Sequence, residues 1–223
     1  MYGTVLFDLD GTLTDPGIGI TNSVMYALKK YGIEPSDRSE LYKFIGPPLT
    51  ESFERFYGFT PGQAKEAVEF YREYFKDKGI FENRPYKGID VLLSSLKNAG
   101  MILAVATSKP EVFAERILEH FDLAQYFTVT AGSNLDGSRI SKADVINYAL
   151  ETLKVNDKTS VLMVGDREHD VIGAKAAGID CVGVLYGYGS REELESAGAG
   201  SIAQTVEELQ NMLLRSEEHT SEL

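Results

Sequence analysis

The sequence predicts an α/β fold: a parallel sheet covered by helices on both faces, interrupted after its first strand by a small all-helical insertion. Three observations predict it. Short runs that are apolar throughout, not alternating, recur in the second half of the chain, each spaced from the next by a helical pattern. Residues 15–84 carry helical periodicity with no convincing strand. Carboxylates, hydroxyls and glycines cluster just after several of the apolar runs, where ligands bind to parallel sheets.

The first element is the run 4–7, β-branched and aromatic, which reads as a buried strand. It ends in Asp8-Leu9-Asp10-Gly11-Thr12. Helices are predicted over 18–31, 49–57 and 64–75, with Gly46-Pro47-Pro48 breaking the chain before the second. In the third, Ala64, Ala67, Val68, Tyr71 and Phe75 share one face. From Tyr86 the chain alternates. Helices are predicted at 88–98, 111–121, 142–153, 171–177, 192–197 and 206–214; strands at 101–106, 127–131, 160–164 and 180–184. The domain division is 1–14 with 85–214 as the sheet domain and 15–84 as the helical cap. Residues 215–223 have little apolar content, read as translated sequencing-adapter DNA, and are expected to be a non-native tail.

Composition limits what such a chain does. The 223 residues hold 22 Lys and Arg against 34 Asp and Glu, a net charge of −12, or −10 without the tail. That argues against nucleic acid and anionic membranes as partners. No apolar run reaches the roughly 18 residues that span a bilayer, and the N-terminus has no signal-peptide pattern. The lone Cys181 sits in an apolar run and reads as packing. The expected location is the cytoplasm.

The chemistry gathers at one end of the predicted sheet. Asp8 and Asp10 fall on the same side of a strand where it stops, so their mutual repulsion calls for a proton or a cation. Thr107-Ser108-Lys109 follow the second main strand, where a hydroxyl and the N–H groups of a helix start make an anion site. Lys142 opens a helix after the turn at 137–138. Gly165-Asp166 and Asp170 follow the strand at 160–164. Up to four carboxylates, a hydroxyl and an ammonium suit a hard cation and a phosphoryl group.

These motifs, in this order, give the chain a specific likeness. It resembles the haloacid dehalogenase-like (HAD) hydrolases over residues 3–214, through Asp8-Leu9-Asp10-Gly11-Thr12, Thr107, Lys142 and Gly165-Asp166 with Asp170. The resemblance implies a Rossmann-like HAD core with a small α-helical cap. Within the superfamily it most resembles the phosphoglycolate phosphatase and 5′-nucleotidase-like branch, through Gly46-Pro47-Pro48-Leu49, 165–170 and 183–189.

The resemblance assigns roles. Asp8 is the nucleophile that forms an aspartyl-phosphate, and Asp10 the acid and base. Thr107, Ser108, Lys142, Thr12 and N–H groups near Leu9 and Gly11 hold phosphoryl oxygens. Asp8, the carbonyl of Asp10 and Asp166 hold Mg²⁺, with Asp170 beyond them on a metal water or on Lys142. Gly46 and Pro47 are the expected cap contacts, with Asn22, Lys43 and Arg55 as further candidates; His169 has no assigned role. The expected function is Mg²⁺-dependent hydrolysis of a small phosphorylated metabolite. The alternatives are a sugar-phosphate mutase, disfavoured because 15–30 contains no His, and a non-catalytic phosphate-binding protein. Oligomeric state is not legible.

Overall fold

The computed structural model describes residues 2–136 and 138–215. The expectation of a tail falls on residues outside this range, apart from Arg215, which ends the last helix. In chain order the elements are β1 (Thr4–Phe7), β2 (Thr14–Asp15), α1 (Gly17–Lys29), α2 (Leu49–Tyr57), α3 (Pro61–Phe75), β3 (Arg84–Pro85), α4 (Ile89–Asn98), β4 (Ile102–Pro110), α5 (Glu111–His120), β5 (Val129–Ser133), α6 (Lys142–Thr152), β6 (Val161–Gly165), α7 (Glu168–Ala177), β7 (Asp180–Val184), α8 (Arg191–Ala197), β8 (Ser201–Ala203) and α9 (Val206–Arg215). Short 3₁₀ segments include Arg38–Phe44 and Gly79–Phe81.

The chain divides into two compact units. One is built from the described residues up to Thr14 and from Pro85 onward; the other is Asp15–Arg84.

In the first unit six strands form one sheet in the order β5-β4-β1-β6-β7-β8, every pair parallel. β1 is fully buried and central, with Phe7 level with Val105 of β4 and Val164 of β6. Asp8 is therefore the first residue past β1, beside the end of β6, and its N–H donates to Val164 O at 2.9 Å. Strand geometry sends alternate residues to opposite faces. Leu6, Ala104, Ala106 and Met163 pack with Val145, Ile146 and Ala149 of α6 and Val171 and Ala174 of α7. α4 packs against α9, burying Leu92, Leu93, Leu96, Leu209 and Leu213. Cys181 is buried in β7, and burial raises its thiol pKa, so it stays a neutral packing group.

Two differences from the sequence reading bear on the site. β4 does not stop at Ala106 but continues through Pro110, with its pairing to β5 slipping between Ala106 and Pro110. Thr107 and Ser108 are thus strand residues, and Pro110, not a hydroxyl residue, precedes α5. β8 extends the sheet where no strand was read, because it has three residues, only two of them apolar.

The second unit is helical, as its periodicity requires. All five residues read on one face of α3 are buried. The helix starts with Thr60 and Gln63 satisfying each other's backbone N–H groups, an arrangement that stabilises by about 1 kcal/mol. α2 ends at Gly58 in the left-handed conformation. Phe44, Phe53 and Phe59 form its aromatic centre, with Phe53 stacked on Phe59 at 5.7 Å. Backbones approach closely at one point: a Cβ on Gly19 of α1 would lie 1.9 Å from Gly79 O. The chain enters and leaves this unit through β2 and β3, which pair, and Arg84 Nη2 meets Asp15 Oδ2 at 2.8 Å.

Candidate active site

Parallel strands end together, so the residues after β1, along the end of β4, and after β6 and β7 converge on one edge. Asp8 follows β1, and its Oδ1 lies 2.9 Å from Lys142 Nζ. Lys142 is the first residue of α6, 7% exposed, and reaches the sheet because Ser141 caps that helix through Asp144 N. Its ammonium also meets Asp170 Oδ1 at 2.7 Å and donates to Ala106 O at 3.1 Å. Burial alone would lower the pKa of Lys142; the charges of Asp170 and Asp8 outweigh it and raise it. Burial pushes Asp170 upward against the same ammonium. The short contact favours the charged form of both.

Asp166, the first residue after β6, is fully buried. One oxygen accepts from Tyr188 N at 2.8 Å and the other from Thr12 Oγ1 at 3.4 Å. Among the described residues no lysine or arginine forms an ion pair with it. Burial, with the charges of Asp170 and Asp8, raises its pKa well above the usual carboxylate range. Gly11, at φ +83°, permits this packing: a Cβ there would lie 2.2 Å from Asp166 Oδ2.

A metal ion fits these residues. Asp8, Asp166 and Asp170, all buried, each offer an oxygen within 4.8 Å of the other two. Lys142 pairs with Asp8 and Asp170, while Asp166 beside them has no ammonium of its own in a desolvated place. An all-oxygen set with that charge suits a hard divalent cation.

The structure thus brings together Asp8, Lys142, Asp166 and Asp170, with Asp10, Thr12 and Thr107 buried at the same strand ends. Asp170 makes the contact with Lys142 that was one of its two expected roles. Two residues are committed elsewhere than expected. The Gly11 N–H donates to Thr14 O at 2.8 Å, closing a tight turn, and is not open to a phosphoryl oxygen. The Thr12 hydroxyl is turned to Asp166. Ser108 is only half-buried between buried Thr107 and Lys109, on the opposite side of the strand. His169 is half-buried in the first turn of α7, and burial lowers its pKa, so it is neutral near pH 7.

Lys109, left without a role by the sequence reading, is also here. Its Nζ lies 2.8 Å from Asp10 Oδ2, and both side chains are nearly buried. Two residues beyond Thr107 on a strand, it shares that residue's side; reading β4 to its full length would have found it.

In the helical unit, Gly46 and Pro47 form a half-buried turn before α2. Asn22 Nδ2 donates to Glu82 Oε2 at 2.9 Å. Lys43 and Arg55 are exposed and lie over the Phe56 ring, at 4.5 and 5.6 Å from its centroid.

The fold and this acidic cluster at its strand ends define a class, and comparison with known proteins agrees. Residues 5–184 match the family model described as haloacid dehalogenase-like hydrolase. The chain belongs to that family, as a phosphatase within it. It is 48% identical over 195 residues to a 5′-nucleotidase of Pseudomonas aeruginosa, covering 87% of this chain and 88% of that one. It is 43% identical over 211 residues to the tyrosine-protein kinase PtkA of Mycobacterium tuberculosis, covering 94% of this chain and 72% of that one. A solved structure described as a predicted phosphatase from Clostridium acetobutylicum superposes with a TM-score of 0.94 at 53% identity, covering 96% and 99% of the two chains. No helix among the described residues is long and apolar enough to cross a membrane.

Proposed function

We propose that the protein is a Mg²⁺-dependent phosphomonoester hydrolase that works through an aspartyl-phosphate on Asp8. The observation that supports this best is the placing of Asp8: beyond the central strand, 4% exposed, with Lys142 Nζ 2.9 Å from one oxygen. A carboxylate held there attacks phosphorus, and Lys142 and the Thr107 hydroxyl receive the charge on the phosphoryl oxygens. Asp8, the carbonyl of Asp10 and Asp166 would hold Mg²⁺, which supplies charge neutralisation at the phosphoryl group. Asp10 gives a proton to the leaving oxygen and later takes one from the attacking water. Burial raises the pKa of Asp10 despite Lys109, which favours a carboxyl able to carry that proton.

The substrate class is a small phosphomonoester. The 5′-nucleotidase name of the 48%-identical relative favours a nucleoside 5′-monophosphate, with phosphoglycolate the other candidate from the sequence likeness. Gly46 and Pro47 are proposed to contact the part of the substrate beyond the phosphate.

Phosphate release from a panel of phosphorylated metabolites tests the reading. Activity is expected to vanish with EDTA and return with Mg²⁺, Ca²⁺ substituting poorly because it admits more ligands. Asp8→Asn should lower kcat by roughly a thousandfold or more with Tm retained; a tenth of wild-type activity in that variant would sink the nucleophile assignment.

One relative's name favours a second reading, transfer to a tyrosine hydroxyl. Incubation with ATP and a tyrosine peptide, yielding no phosphotyrosine, would dispose of it.

A further inference from the structure

Asp10 has two oxygens in different situations. Oδ2 lies 2.8 Å from Lys109 Nζ, in a pair whose side chains are 11% and 6% exposed. Oδ1 is buried and has no hydrogen-bond partner. Lys109 is held in turn, because its own N–H donates to Thr107 Oγ1 at 3.2 Å, fixing the end of β4 beside β1. A buried ion pair is a poor device for stability, since desolvating two charges offsets most of their attraction. What it does supply is a fixed orientation.

We propose that Lys109 is a positioning residue of the phosphatase reaction: by holding Oδ2 of Asp10 it leaves Oδ1 as the oxygen that exchanges the proton. The inference rests on the hydrolase reading above. In the first half-reaction an Asp8 oxygen bonds to phosphorus as the bond to the leaving oxygen breaks, and that oxygen takes the proton from Asp10 Oδ1. In the second, a water oxygen bonds to phosphorus, its proton passes to Oδ1, and the bond from phosphorus to Asp8 breaks. Both carboxyl groups return to their starting state. Without Lys109 the carboxyl is free to rotate, and the oxygen that meets the leaving group is no longer fixed.

The leaving group exposes this role. A 4-nitrophenolate leaves without a proton; a phenolate needs one more. The ratio of kcat/KM for 4-nitrophenyl phosphate to that for phenyl phosphate reports only the steps up to aspartyl-phosphate formation, so the shared hydrolysis step does not blur it. Lys109→Met is expected to raise that ratio about tenfold, a part of what general acid catalysis supplies. Lys109→Arg should return it to near the wild-type value. Should the methionine variant not fold, Lys109→Gln takes its place with the same expectation. Equal losses on both esters in the neutral variant, while Asp10→Asn raises the ratio, would overturn the inference and leave the hydrolase reading standing. An unchanged ratio in Asp10→Asn itself would remove the acid role of Asp10, and the inference with it.

Discussion

The two units use charge in opposite ways. In the sheet unit Asp8, Asp10, Asp166, Asp170, Lys109 and Lys142 are each less than 10% exposed. In Asp15–Arg84 no Asp, Glu, Lys or Arg is buried; the interior polar groups are hydroxyls such as Thr21, Ser23 and Ser52. Thr21 and Ser23 donate to carbonyls of their own helix, Gly17 O and Gly19 O, and so cost little to bury. Burying charge is expensive unless it is paired. A unit that does so is organised for chemistry and shows it. The helical unit shows nothing comparable, since Lys43 and Arg55 over Phe56 look like any solvated surface.

The contrast can be broken experimentally. After Asp8→Asn itself, the largest effect is expected from Lys142→Ala, which leaves Asp8 and Asp170 facing each other without their cation. It should lower kcat about a hundredfold or more, by similar factors on every phosphomonoester. A loss confined to one substrate would mean that Lys142 reads the leaving group.

Gly19→Ala should act on stability alone. Its Cβ would meet two backbone oxygens, Gly79 O at 1.9 Å and Glu82 O at 2.9 Å, and neither can turn aside. Overpacking of that kind costs about 1–3 kcal/mol or more, so Tm should fall by several degrees while activity on a small aryl phosphate persists below it. An unshifted Tm would mean that α1 and the 3₁₀ segment separate at little cost.

Smaller still are the changes expected from Pro47→Ala and Pro48→Ala. Each loosens a turn stiff in φ. Relative kcat/KM between a nucleotide and phosphoglycolate should shift several-fold, more than the rate on an aryl phosphate does. Equal losses on all three would make the loop purely structural.

The smallest effect is in alkaline stability. Burial, then the hydrogen bond and charge of Glu66, push Tyr31 up to about 12 from 10.0. The folded state holds that proton more tightly than the unfolded chain, so the contribution is complete below pH 10 and lost as pH rises through 12. Tyr31→Phe should make the fall in Tm between those values shallower; an identical fall would show that the contact to Glu66 does not persist in solution.

The legible part of the site was the part that breaks a local pattern. Asp8 and Asp166 are carboxylates placed directly after fully buried strands, and nothing in packing asks for them there. Lys109 was hidden because Pro110 and the slipped pairing of β4 make its last residues look like a loop. The commitments of Gly11 and Thr12 were hidden too: a turn's hydrogen bonds depend on which carbonyl comes back to meet it, here Thr14 O, and spacing does not encode that. β8 escaped notice because a three-residue edge strand has no periodicity to read. For the helical unit, burial of Ala64, Ala67, Val68, Tyr71 and Phe75 followed from period alone.

The central place of β1 has a consequence for the order of synthesis. Its two neighbours, β4 and β6, begin at Ile102 and Val161, so the second pairing partner is made 157 residues after Thr4. At about 5–20 residues per second, that is roughly 8–30 s on the ribosome. Asp15–Arg84 is continuous and is complete long before then. The nascent chain therefore finishes its helical unit first, while the four residues of β1, three of them apolar, wait without a sheet to join.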